Sequence, residues 1–170
     1  MNRVVLVFAL LLTSPAFCQK PMNRSTDRSI GSGQPAPDYN LSDKQNQPVN
    51  LLAFKGQVVL VDFWSSRCDY CRNEHSHLKA LYDQYKDRGL QIVSISIDEN
   101  PKAWRKALQK SGLPWPQLTD RVGSRNVAGP KFSKNPMPMN LLIDKDGYVI
   151  RKGLHGLELD RQLALVFNTL

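Results

Sequence analysis

The chain has 170 residues, 41% of them hydrophobic, and 23 Lys and Arg against 15 Asp and Glu give it a formal charge of +8. That size suits one domain with a real core and one active site rather than two domains. The excess charge is scattered in runs such as Lys102, Arg105, Lys106 and Lys110, without a focused basic face or a docking motif, so a nucleic-acid partner is excluded and the charge reads as solubility with weak steering of acidic partners.

Residues 1–18, MNRVVLVFALLLTSPAFC, place Arg3 before an apolar run from Val4 to Leu12 and then small and turn-forming residues. This is the layout of a secretory signal peptide, and it implies export to the periplasm or cell envelope. Crossing a bilayer takes about 18 or more apolar residues, and Thr13, Ser14 and Pro15 end this run earlier, so cleavage is favoured over a retained anchor. Phe17 is bulky where an acylated-cysteine signal carries Gly, Ala or Ser, which favours cleavage after Cys18 over a lipid-anchored form that keeps it. Loss of residues 1–18, with one Arg and no acid, leaves a charge of +7 and two cysteines three positions apart. One close pair in a chain of this length is not a disulfide-stapled scaffold.

Residues 19–34 are rich in Ser, Arg, Asn, Pro and Gly and almost devoid of apolar side chains, so burial cannot offset their ordering and a flexible linker is expected. From Pro35 the pattern changes, and residues 35–170 are expected to form the folded domain. The stretch PAPDYNLSDKQNQPVNLLAFKGQ carries short apolar pieces between turn residues, as a small N-terminal hairpin would. Val58–Trp64 (VVLVDFW) is a nearly continuous β-branched and aromatic run, the mark of a central strand buried on both faces, with Asp62 its one polar interruption.

Leu78, Leu81, Tyr82 and Tyr85 recur at helical spacing and predict a helix that stops near Gly89. Gln91–Ile97 alternates as a strand; Asn100 and Pro101 then cap a second helix with Trp104, Ala107 and Leu108 inward and Gly112 at its end. The interval Leu113–Asn135 reads as loops near the active site. Leu141–Ile143 and Tyr148–Ile150 flank Asp144-Lys145-Asp146-Gly147 and predict an antiparallel hairpin. A last helix follows with Leu163, Val166, Phe167 and Leu170 inward. Parallel strands joined by helical crossovers, with an antiparallel edge and an N-terminal hairpin extension, make an α/β sandwich of three layers around a central mixed sheet.

Cys68-Asp69-Tyr70-Cys71 follows the central strand and opens a helix, the setting in which a C-x-x-C pair reads as redox-active. The free N–H groups of the first turn and the helix dipole favour a thiolate, so Cys68 is the candidate nucleophile. Cys71, one turn along, can attack a mixed disulfide as the resolving thiol. That attack needs a proton acceptor, and two carboxylates are candidates: Asp62 on the buried strand, which is preferred, and Glu74, three residues after Cys71. His75 and His77 supply metal-ligand types beside the thiols, but they lie on different helix faces, so no metal is expected and both are read as surface histidines. Met137-Pro138, before a strand, is a candidate cis peptide.

These residues resemble the thioredoxin superfamily, in particular the TlpA/ResA-like envelope reductases and their alkyl-hydroperoxide-reductase-like relatives, over roughly Gly33 to Leu170. The pieces that carry the resemblance are PAPDYNLSD, LLAFKGQVVLVDFWSSRCDYCRNE and MPMNLLIDKDGYVI, in matching order. It implies a thioredoxin-like fold, dithiol–disulfide cycling of Cys68 and Cys71 without a cofactor, protein disulfides as substrates and a membrane or envelope thiol as reductant. It also implies that Pro138 is the cis-proline packed against the pair, that Glu74 matches the acid after the motif in the TlpA-like branch, and that Asp62 matches the buried aspartate of thioredoxin. Two features depart from the family: Arg67 stands where Trp commonly precedes the first cysteine, and Asp69-Tyr70 lacks the usual Pro. No peroxidatic arrangement surrounds Cys68, so peroxidase activity is the weaker enzymatic reading, and a binding module with a static disulfide or metal at the pair is the non-enzymatic one.

Overall fold

A computed structural model describes residues 31–39, 41–119 and 139–168. Among these the strands are β1 (Leu41–Ser42), β2 (Pro48–Val49), β3 (Val58–Trp64), β4 (Leu90–Ser96), β5 (Gln117–Thr119), β6 (Met139–Ile143) and β7 (Val149–Lys152). The helices are α1 (Asp69–Tyr85), α2 (Pro101–Ser111) and α3 (Gly156–Asn168). The strands form one mixed sheet in the order β2-β1-β5-β4-β3-β6-β7.

All seven residues of β3 are buried, as the unbroken apolar run requires, because the strand lies between β4, parallel, and β6, antiparallel. Alternation sends Val59, Val61 and Phe63 to one face, where Leu41, Tyr39 and Leu51 of a short 3₁₀ turn cover them. Val58 and Leu60 face the other way, against Leu78 and Leu81 of α1 and Leu159 and Leu163 of α3. Trp64, on the same face, packs with Cys71 of α1 and Trp104 of α2. Asp62 falls between these two apolar groups, and the register aligns it with Ser94 on one side and Asn140 on the other. A buried polar row thus crosses the middle of the sheet beneath α1.

The helix ends follow the chemistry of their residues. Asn100 caps α2 by accepting from the amides of Lys102 and Ala103, Pro101 stands in the first turn, and Gly112 leaves the helix at φ 54°. The β6–β7 hairpin is held by Asp144, whose Oδ1 accepts from the amides of Asp146 and Tyr148. In α3 the buried face is Leu159, Leu163 and Phe167, with Val166 half-buried; Leu170 lies outside the described residues.

Two findings differ from the sequence reading. β5 lies inside the interval expected to be loops: three residues after Pro116 are too few to show alternation, and its pairing with β4 and β1 defines the strand. Residues 31–34, assigned to the linker, hydrogen-bond to β7 and its neighbours, with Gly33 N–H donating to Val149 O at 2.8 Å and Val149 N–H to Gln34 O at 2.8 Å. Backbone pairing needs no apolar side chains, so composition does not register it.

A candidate dithiol–disulfide active site

β3 ends at Trp64 in the middle of the sheet, and Ser65, Ser66 and Arg67 turn the chain into α1. Cys68 is the N-cap of that helix, with extended backbone (φ −88°, ψ 96°), and its Sγ accepts from the Cys71 amide at 3.1 Å. Cys68 and Cys71 are joined by a disulfide. The same amide and the helix N-terminus favour a Cys68 thiolate once the pair is reduced. The two sulfurs differ in access: Cys68 is half-buried at the rim, whereas Cys71 is 1% exposed under Trp64 and Trp104.

The turn is braced by a residue the sequence reading passed over. Asp98, buried just beyond β4, accepts from the Ser66 amide at 2.8 Å, from Ser66 Oγ at 2.7 Å and from Ser96 Oγ at 2.9 Å. Its signal was positional: it follows the carboxyl end of a strand parallel to β3, where loops that build sites in α/β sheets converge. Arg72 ties the turn to α1 by donating to Ser66 O at 2.7 Å and also pairs with Asp69. The Asp69 charge is therefore met by Arg72.

Asp62 is buried, as expected for the central strand. Trp115 Nε1 donates to Ser94 Oγ at 2.8 Å, and Ser94 Oγ donates to Asp62 Oδ2 at 3.0 Å. His75 Nε2 stands 3.4 Å from the same Oδ2, and the His75 ring meets Trp64 edge to face at 5.2 Å. His75 is thus not the surface histidine expected. It follows Cys71 by four residues, so the helix turns it inward with that cysteine, where Asp62 offers a polar neighbour in an apolar layer. Its Nε2 makes no hydrogen bond among the described residues; leaving such a group unsatisfied costs on the order of 1–3 kcal/mol.

Glu74 meets a different histidine. Its Oε1 contacts His77 Nδ1 at 3.1 Å, and His77 Nε2 reaches Asp160 Oδ1 on α3 at 2.6 Å. His77 is accordingly not a free surface side chain but a clasp between two helices, 29% exposed. Partial burial would lower its pKa, but hydrogen bonds from Glu74 and Asp160 and their charges outweigh that and raise it. Among the described residues no group of three or more potential metal ligands converges. The Met137-Pro138 bond, and with it the expected role of Pro138, lies outside the described residues.

Exposed Tyr70 stands between the cysteines and meets His155 edge to face at 6.4 Å, and Leu157, two residues on, is 71% exposed. Tyr70 thus sets an exposed aromatic ring beside the disulfide.

The Redoxin family model matches residues 31–163, a span that includes both cysteines and the whole sheet. The chain is 31% identical over 120 residues to the thiol-disulfide oxidoreductase ResA of Bacillus cereus, covering 71% of this chain and 68% of that one. It is 30% identical over 121 residues to the ResA of Geobacillus kaustophilus, with 71% and 68% covered. Among solved structures, the thioredoxin domain of a thiol-disulfide oxidoreductase from Bacteroides vulgatus superposes with a TM-score of 0.74 at 29% identity, covering 82% of this chain and 99% of that one. A thiol:disulfide interchange protein from Bacteroides sp. gives 0.71 at 30% identity, over 82% and 91%. With a thioredoxin-like sheet, a cysteine pair at the N-terminus of α1 and these likenesses, the chain belongs to the Redoxin family, as a TlpA/ResA-like thiol–disulfide oxidoreductase of the thioredoxin superfamily.

Proposed function

We propose that the protein is an exported disulfide reductase acting on proteins of the cell envelope. The observation that carries this reading is the unequal access of the two sulfurs, Cys68 at the rim and Cys71 1% exposed beneath it. A substrate disulfide can approach only the first.

In this reading the Cys68 thiolate attacks one sulfur of a substrate disulfide, and the other leaves as a thiolate. Cys71 gives up its proton and attacks Cys68 Sγ, forming the intramolecular disulfide and releasing the second substrate sulfur. Asp62 takes that proton; Glu74, engaged by His77, is the second candidate. The exposed Tyr70 ring between the cysteines suits a protein surface. A membrane or envelope thiol then restores the dithiol. Residues 1–18 act as the export signal, with residues from Gln19 spacing the domain from the cleavage site.

Reduced protein is expected to accelerate insulin reduction, and Cys68→Ser to abolish that activity. An inactive reduced wild type would refute the reading. A redox titration adds a second criterion: a static disulfide lies below about −300 mV, whereas a catalytic pair is more oxidising. For export, the mature envelope protein is expected to begin at Gln19; a mass that retains Cys18 with added lipid would replace the free form with an anchored one.

A further inference from the structure

We propose that His75 is a positioning residue for thiol–disulfide exchange, aiming the Asp62 carboxylate so that it takes the proton of Cys71. The inference rests on the reading of Cys71 as the resolving thiol and deepens it. Three observations carry it. His75 and Asp62 are both buried, with side chains 7% exposed, and Nε2 stands 3.4 Å from Oδ2. His75 follows Cys71 by one helical turn on the buried face of α1, and both lie against Trp64 of the strand that carries Asp62, so the sulfur, the imidazole and the acid share one buried layer. Ser94 and His75 both meet Oδ2, which leaves Oδ1 to receive a proton.

A buried imidazole whose Nε2 makes no hydrogen bond in the disulfide form has a partner to gain when the pair is reduced. Active-site hydrogen bonds are commonly long in a resting state and tighten as charge develops. When Cys71 attacks, its S–H bond breaks and the proton passes to Asp62, while the sulfur electron pair forms the bond to Cys68 Sγ. The bond between Cys68 and the substrate sulfur breaks, and its pair leaves with the substrate as a thiolate. His75 Nε2–H donating to Oδ2 holds the carboxylate oriented through this step. The other charged groups around His75 are Arg72 and Lys79 on α1 and Lys110 on α2, which line the same cavity as Trp64. All three are cations, and the carboxylate that faces His75 is that of Asp62, against Nε2.

The test uses full-length reduced protein in which Cys68 has been converted to its mixed disulfide with thionitrobenzoate. Cys71 then expels the yellow thiolate, read at increasing pH, with no protein substrate involved. His75→Phe keeps the ring volume and removes both nitrogens; it is expected to slow expulsion at neutral pH by about tenfold, a coupling ordinary for touching residues. It is also expected to move the rate profile to higher pH, because Cys71 must then lose its proton to solvent. Asp62→Asn is expected to do the same, and the double variant to be no slower than Asp62→Asn alone. His75→Gln, whose amide can still donate to Oδ2, is expected to restore most of the rate. An unshifted pH profile in His75→Phe, or slowing that adds to that of Asp62→Asn, would overturn the proposal. Normal expulsion by a wild type that fails to reduce insulin would sink the reductase reading alone.

Discussion

His75 and His77 stand two residues apart on α1, and the helix turns them to different surroundings. His75 is buried against Trp64 and Asp62 beside the cysteine pair; His77 is 29% exposed and links Glu74 to Asp160 on α3. A helix rotates about 100° per residue, so a step of two residues crosses to the opposite side. The difference teaches that the acids divide in the same way. Asp62 meets His75 beside the cysteine pair, whereas Glu74, nearer in sequence to Cys71, is held by the interhelical clasp. The buried side of α1 carries Cys71 and His75, and the more exposed side carries the clasp to α3.

The largest effect on this contrast is expected on the buried side away from the sulfurs. Leu78, 1% exposed, continues the face that carries Cys71 and His75 and packs between α1 and the sheet. Leu78→Ala is expected to destabilise the protein by about 3 kcal/mol, within the range for a truncated core leucine. Urea unfolding checks it, and a cost under about 1 kcal/mol would show that this face is not tightly packed.

Asp98 sharpens the comparison, because it is a buried carboxylate with a structural duty. Asp98→Ala removes the acceptor for Ser66 N, Ser66 Oγ and Ser96 Oγ. The expected loss is about 2 kcal/mol, the scale of leaving buried donors unmet. The cysteine turn should also loosen, read as faster amide exchange at Ser66. Unchanged exchange there would remove Asp98 from the site's support.

The smallest effect belongs to the clasp. The His77 pKa is raised in the folded protein, so protonation of His77 stabilises the fold. That contribution is fully present below the unfolded value of about 6.5 and is lost as pH rises through the higher folded value. His77→Gln should therefore cost most in mildly acidic solution, about 0.5 kcal/mol for a partly exposed pair. The cost should shrink toward alkaline pH. Unfolding midpoints of the two proteins across that range check the sign; a cost that grows with pH would contradict it.

Much of the site was legible because its determinants are local. Cys68 and Cys71 declare their chemistry by spacing, the run around Asp62 declares a buried strand, and Asn100-Pro101 declares a helix start. His75 was misread because its burial depends on what lies across the interface: the spacing from Cys71 places it on the inward face, but only Asp62 and Trp64 make that face habitable for an imidazole. Asp98 was missed because its partners, Ser66 and Ser96, come from separate strand ends, so its position beyond β4 was the one local signal and its contacts were not readable from it. Glu74 was read as the second candidate for proton acceptor, and its place in a clasp was not legible because its His77 partner is itself held by Asp160, 83 residues away.

The sequence by itself determined the reaction type, the order of the main strands and helices, and the strand and helix that present the cysteine pair. Those follow from periodicity, caps and covalent chemistry within a few residues of one another. The tertiary structure decided which sulfur is accessible, which acid meets which histidine, and where β5 and residues 31–34 join the sheet. Each of these depends on groups distant in the chain meeting at a few ångströms, where burial and hydrogen bonding, rather than local preference, set the partner.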